Sequence, residues 1–114
     1  MSDCIFCEIV QKRISSKIAF ESEKVLAFHD VQPQAPVHIL IIPKEHLSSV
    51  MDIQSDQGSL ALEMVLAAQK IAKQEKIDST GFRLTVNFGP DAGQSVGHYH
   101  MHLLGKRKLS WPPG

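Results

Sequence analysis

The sequence predicts an α+β domain: an antiparallel sheet of about five strands carrying one long helix. Three observations predict it. Residues 82–87 (Phe82-Arg83-Leu84-Thr85-Val86-Asn87) and residues 98–104 alternate at the two-residue period of a half-buried strand. His38-Ile39-Leu40-Ile41-Ile42 is nearly all apolar and ends at Pro43, as a central strand buried on both faces would. Residues 59 to about 75 place Ala61, Met64, Val65, Ala68, Ile71 and Ala72 in one helical stripe, with Glu63, Lys70 and Lys73 off it toward solvent. One such helix covers one face of a sheet and leaves the other for chemistry.

The remaining elements follow in order. Ile5-Phe6-Cys7-Glu8-Ile9-Val10 reads as a short helix or turn. Ala19 to Glu21 and Val25 to His29 are short apolar runs separated by Ser22-Glu23-Lys24, the pattern of a small hairpin. Pro33 and Pro36 make residues 32–36 a loop. In 82–87, Phe82, Leu84 and Val86 share a face and Asn87 lies on the other. Gly89, Pro90, Gly93, Gln94, Ser95 and Gly97 form a small-residue connection into the last strand, where Tyr99, Met101 and Leu103 share one face and His98, His100 and His102 the opposite one.

A chain of 114 residues, 43% hydrophobic and 21% charged, is expected to form a single domain over 1–114 with one core. Its twelve basic and twelve acidic residues cancel, which argues against a nucleic-acid module, since backbone binding needs a concentrated positive field. Single nucleotides, held by a few placed donors, remain open. Asp3, Glu8, Lys12, Arg13 and Lys17 interrupt the first twenty residues, and no apolar run approaches a membrane span of about 18 residues. The expected compartment is the cytoplasm. There a Cys4-x-x-Cys7 pair points to metal or redox chemistry before a structural disulfide.

Three histidines at i, i+2 and i+4 of a strand project the same way, roughly 6.7 Å apart at strand rise. Such a row faces water, binds a metal in the manner of a zinc site, or acts on a substrate. The glycine-rich connection before it favours an anion: backbone N–H groups, with Ser95 and Asn87 adding side-chain donors, can form a concave phosphate seat beside the imidazoles.

Residues 93–104, Gly93-Gln94-Ser95-Val96-Gly97-His98-Tyr99-His100-Met101-His102-Leu103-Leu104, resemble the signature of the histidine-triad (HIT) superfamily. Asp30-Val31-Gln32-Pro33-Gln34-Ala35-Pro36-Val37-His38, Ile42-Pro43-Lys44-Glu45-His46 and the ending Trp111-Pro112-Pro113-Gly114 resemble its Hint branch, and the likeness runs from about Ile5 to the last residue. The resemblance implies a HIT-like fold with sheets joined across a homodimer. It implies a purine nucleoside phosphoramidase that hydrolyses the P–N bond of nucleoside 5′-monophosphate amides, such as an adenylated lysine, with no cofactor for catalysis.

Carried onto this chain, the resemblance makes His100 the nucleophile of a nucleotidyl-histidine intermediate, anchored through its other nitrogen by a backbone carbonyl. His102 and His38 are the accompanying active-site histidines, and Ser95 a candidate proton donor to the leaving amine. Asn87, Gly93 and Ser95 match phosphate and leaving-group contacts, and Asp30 the carboxylate that accepts the ribose hydroxyls. Ile5, Phe6, Ile9, Phe28 and Val31 match an apolar slot for the base; read alone, each is ordinary core. Cys4 and Cys7 supply half of a tetrahedral site, for which His46 and His98 are the further candidates. The resemblance supports a structural zinc there, beside the alternatives of partly buried thiols or a redox pair. His29 carries no assigned role. Leu62 and Leu66 flank the helix stripe and widen its apolar surface, a physical hint of the homodimer.

Other functions stay open at this point. They are diadenosine polyphosphate hydrolysis or nucleotidyl transfer, a nucleotide-binding interaction protein with residual hydrolysis, and a zinc hydrolase ligated by the three histidines.

Overall fold

The computed structural model describes residues 3–114. Five strands form one sheet: β1 (Ile18–Glu21), β2 (Val25–His29), β3 (Val37–Pro43), β4 (Phe82–Val86) and β5 (Met101–Gly105). They lie in the order β1-β2-β3-β5-β4, and every neighbouring pair is antiparallel. Among the described residues three α-helices accompany them, α1 (Ile5–Val10), α2 (Gly58–Gln74) and α3 (Gly89–Ala92), with a 3-10 turn at Val50–Asp52. β3 is the middle strand and is buried at every residue, as its continuous apolar run requires.

The two faces of the sheet are covered differently. Val25, Ala27, Ile39, Ile41 and Leu103 pack beneath Met64, Ala68 and Ile71 of α2. On the opposite face Leu26, Phe28, Leu40 and Ile42 lie beneath Phe6 and Ile9 of α1. A six-residue helix has no stability of its own in water. α1 forms because those two side chains are buried and because Cys4 caps it, its Sγ accepting the Cys7 N–H at 3.3 Å. α2 ends where Lys76 turns left-handed (φ 60°) and the Ile77 N–H returns to the Ala72 carbonyl at 2.9 Å. That turn seats Ile77 against Gly105, where a Cβ would come within 2.7 Å of Ile77 Cδ1.

Three expectations need correction. The last strand begins at Met101, not His98. Its ladder partners Ile41 and Val86 both pair with Met101, and residues 98–100 run on irregularly, held by the Tyr99 N–H to the Leu47 carbonyl at 2.6 Å. The alternation survives, because Tyr99 joins Met101 and Leu103 in the α2-side core. The α2 stripe is rotated slightly: Leu60 and Ala67 are buried while Val65 is 40% exposed. Finally, the connection after β4 is not all loop, since α3 interrupts it and closes on left-handed Gly93 (φ 75°).

The apolar row of β4 also finds little cover among the described residues. Phe82, Leu84 and Val86 are each more than a third exposed, because α2 crosses β1, β2 and β3 and stops short of β4. Leu62 and Leu66 of α2 are exposed as well. Among the described residues no helix is long and apolar enough to cross a membrane.

Candidate active site and metal centre

The α1 face of the sheet holds a cavity of about 450 Å³, within the range of small-molecule sites. Ile5, Phe6, Ile9, Phe28 and Leu40 form its apolar side. His29 and Asp30 at the end of β2, His38 of β3, His100 and His102 before and within β5, and Ser95 with Val96 form the polar side. The antiparallel register places Leu40 opposite His102, so His38, Leu40 and His102 share this face.

Hydrogen bonds to backbone atoms, directly or through a neighbouring ring, set the tautomer of each histidine. The Gln34 N–H can only donate, and it meets His38 Nδ1 at 3.0 Å. A neutral His38 therefore carries its proton on Nε2, which lies 2.9 Å from His102 Nδ1. His102 in turn keeps its proton on Nε2. Burial lowers both pKa values, that of His102 to about 4, with the neighbouring His100 and His38 acting in the same direction and Asp30 against it. Asp30 Oδ2 lies 3.5 Å from His38 Nε2, and its Oδ1 accepts the Gln32 N–H at 2.8 Å.

His100 is set the other way round. Its Nδ1 donates to the His98 carbonyl at 2.7 Å, which leaves the lone pair of the neutral ring on Nε2. Phe6 stands edge-on to this ring at 5.3 Å, and the His102 ring centroid is 5.0 Å away. That is closer than strand rise alone gives, because His100 precedes the regular strand.

His98 takes no part in this cavity. It is fully buried, and its Nε2–H donates to the Pro43 carbonyl at 2.8 Å, turning the Nδ1 lone pair toward Cys4 Sγ at 3.3 Å and Cys7 Sγ at 3.6 Å. His46 Nδ1 lies 3.2 Å from Cys7 Sγ. The four donor atoms lie within 4.8 Å of one another and can hold a metal ion. Two thiolates and two imidazoles suit tetrahedral Zn²⁺, in which sulfur and nitrogen ligands sit roughly 3.6 Å apart. The Pro43 carbonyl is the outer partner that such a ligand histidine normally has. Asp30, His38 and His102 also cluster. They do not suit a metal, because the Gln34 N–H occupies His38 Nδ1 and leaves the proton on the nitrogen that would have to ligate.

The structure thus brings together most of the residues singled out from the sequence. Asn87 and Gly93 do not line the cavity, and Val31 stands at its rim, 94% exposed. Sequence reading missed Leu40, Gln34 and His29. It also missed Gln94, whose amide is committed entirely to backbone: it accepts from the Gly89 N–H (3.1 Å) and donates to the Ser48 (2.9 Å) and Val96 (3.0 Å) carbonyls. Gln94 thereby braces the segment that carries Ser95. An amide amid so many small residues was the one available signal.

The HIT domain family model matches residues 11–109. The chain is 44% identical over 114 residues to the 14 kDa zinc-binding protein of Brassica juncea, covering 98% of this chain and 100% of that one. It is 44% identical over 115 residues to adenylylsulfatase HINT1 of Arabidopsis thaliana, covering 99% of this chain and 78% of that one. The crystal structure of the HIT family hydrolase from Legionella pneumophila Philadelphia 1 superposes with a TM-score of 0.95 at 43% identity, covering 98% and 100% of the two chains. The chain belongs to the HIT domain family.

Proposed function

We propose that the protein is a hydrolase of purine nucleoside phosphoramidates, cleaving the P–N bond of nucleoside 5′-monophosphate amides through a nucleotidyl intermediate on His100. The observation that supports this is the 2.7 Å bond from His100 Nδ1 to the His98 carbonyl, which leaves the lone pair of the ring's neutral form on Nε2 beside the cavity, the nitrogen a nucleophilic imidazole would use. His100 Nε2 attacks phosphorus and the P–N bond to the amine breaks; the amine leaves with a proton drawn from solvent, which Ser95, lining the cavity, would relay. Water then cleaves the phosphorus–imidazole bond and regenerates His100. His102 Nε2–H, fixed by His38, is the donor to a phosphoryl oxygen whose charge grows as the bond forms.

Ile5, Phe6, Ile9 and Phe28 would hold the base, and Asp30 the ribose hydroxyls. An apolar slot discriminates bases weakly, so adenine and guanine nucleotides both fit. Asn87 and Gly93, outside the lining, would reach the leaving group only if the substrate extends beyond the cavity mouth. A second substrate class has a specific ground: the Arabidopsis relative bears the name adenylylsulfatase. The same intermediate forms when sulfate, rather than an amine, leaves phosphorus.

Cys4, Cys7, His46 and His98 would hold a structural Zn²⁺, in keeping with the name of the Brassica relative. A closed four-ligand site leaves no position for water and ties α1, the floor of the base slot, to the triad segment. A reducing compartment such as the cytoplasm keeps both thiols available as ligands. A second copy of the chain would cover the exposed row Phe82, Leu84 and Val86 at the sheet edge, so that the working form would be a homodimer.

The test is turnover of adenosine 5′-phosphoramidate and of adenylyl sulfate by the wild type and by His100→Ala, each with and without chelator. Loss of turnover in the variant alone is the expected result. Turnover abolished by chelator, or equal in wild type and variant, would overturn the reading.

A further inference from the structure

The loop of residues 30–34 delivers two groups to the cavity: the Asp30 carboxylate and the Gln34 N–H that sets the His38 tautomer. Its start is tied to β3 by the Asp30 N–H to the His38 carbonyl at 2.9 Å; beyond that its bonds are local, Gln32 N–H to Asp30 Oδ1 at 2.8 Å and Gln34 Nε2 to the Gln32 carbonyl at 3.1 Å. Residues 31–34 are exposed, and Pro33 removes one donor from the loop. Such a loop is free to breathe unless something beyond it holds its end.

Arg107 is that holder. It follows β5, after a turn at Lys106 with φ 64°. Its Nε–H donates to the Gln34 carbonyl at 2.9 Å, across 73 residues of sequence, while its Nη1 reaches the Lys108 carbonyl at 3.3 Å. The guanidinium thus fastens the same residue whose N–H meets His38 Nδ1. A shift of the Gln34 amide away from His38 would leave only Asp30 Oδ2, 3.5 Å from Nε2, to favour a proton there, and His38 would populate both tautomers instead of donating to His102 throughout.

We propose that Arg107 is a positioning residue, acting through Gln34 to hold His38 and His102 in the tautomers that present an N–H to the phosphoryl group. The kinetic part rests on the phosphoryl-transfer reading given above; the tautomer part rests on the hydrogen bonds alone.

The experiment compares wild type, Arg107→Met and Arg107→Lys by ¹⁵N spectroscopy of the histidine side chains and by kinetics with adenosine 5′-phosphoramidate. In the wild type His38 is expected in the Nε2–H form. Arg107→Met, which keeps the stem and loses every donor, should show a mixture of tautomers at His38. Its kcat should fall about tenfold or more, with KM changed far less, since misplacement at a reacting centre acts chiefly on the chemical step. Arg107→Lys, which retains a donor, should recover the wild-type His38 signal and most of kcat. A wild-type His38 signal in Arg107→Met would overturn the proposal, whether or not melting temperature or KM had moved. If the wild type fails to turn over the phosphoramidate, the spectra still decide. A tautomer mixture in Arg107→Met then supports the clamp while the proposed reaction falls, and an unchanged spectrum removes the clamp as well.

Discussion

Phe6 joins the fold to the site more directly than any other residue of α1, and replacing it with alanine tests both. The ring is 6% exposed and packs against Leu26, Phe28, Leu40 and Ile42. It stands edge-on to Phe28 at 5.4 Å, His98 at 5.9 Å and His100 at 5.3 Å. Truncating a buried phenylalanine to alanine costs about 3–5 kcal/mol, a figure that already includes its ring contacts. α1 lies on the outside of the sheet and can settle inward over the space left, so the low end, about 3 kcal/mol, is the expectation. With a urea m-value of about 1.5 kcal/mol/M, the midpoint should fall by about 2 M. The assay is equilibrium urea unfolding in the presence of chelator, because a metal on Cys4 and Cys7 would hold α1 down independently of Phe6. Phe6→Leu, which fills most of the volume, should lose only about 1 kcal/mol. In titration calorimetry with adenosine monophosphate, Phe6→Ala should also bind more weakly than Phe6→Leu. A loss below about 1 kcal/mol for the alanine variant would refute the packing of α1 described above.

Three further outcomes are expected. By NMR titration His102 should protonate near pH 4, and His38 below the ordinary value of 6.5, both because burial disfavours the imidazolium. Between those pH values the unfolded chain binds protons that the folded one does not, so stability should decline as pH falls from about 6.5 toward 4. Urea unfolding should show a shallower decline for His102→Gln than for the wild type. Removing metal with chelator should lower the melting temperature while leaving kcat at its metal-loaded value; free metal at a hundredfold excess over its Kd stabilises a fold by about 2.7 kcal/mol. Leu84→Asp places a charge in the exposed apolar row of β4. It should yield a folded monomer by light scattering, against a dimer expected for the wild type, and a wild-type protein that is already monomeric would defeat the homodimer.

Much of the fold was legible because the periods were strong. β3 reads as a continuous apolar run because both its faces are covered, one by α1 and one by α2. α2 reads as a helix because its buried side is continuous over four turns. What misled was the assumption that an alternating pattern means a paired strand. Residues 98–100 alternate because their two sides face the α2 core and the α1 face, yet no ladder forms there. Likewise the apolar row Phe82, Leu84 and Val86 implied a covered face, and among the described residues the only helix long enough to cover it lies over the other end of the sheet. Periodicity reports which sides of a segment differ; it does not report what lies against them.

The same limit governs the site. His98, His100 and His102 have identical spacing and share a face, and from the sequence they form a row of equals. In the structure each ring meets a different group, and that group assigns its work. The Pro43 carbonyl, 55 residues away, turns the Nδ1 lone pair of His98 toward the cysteines. The His98 carbonyl accepts the Nδ1–H of His100 and leaves the lone pair of the neutral ring on Nε2. His38, itself set by the Gln34 N–H, turns His102 into a donor. These are main-chain atoms in two of the three cases and a relay from one in the third. Main-chain carbonyls and amides are the same at every residue, so no residue type announces them. Residue types could mark the histidines, the Asp30 carboxylate and the cysteine pair as chemistry. The division of labour among three like rings depends on which peptide group the fold sets beside each, and that appears only once the chain is folded.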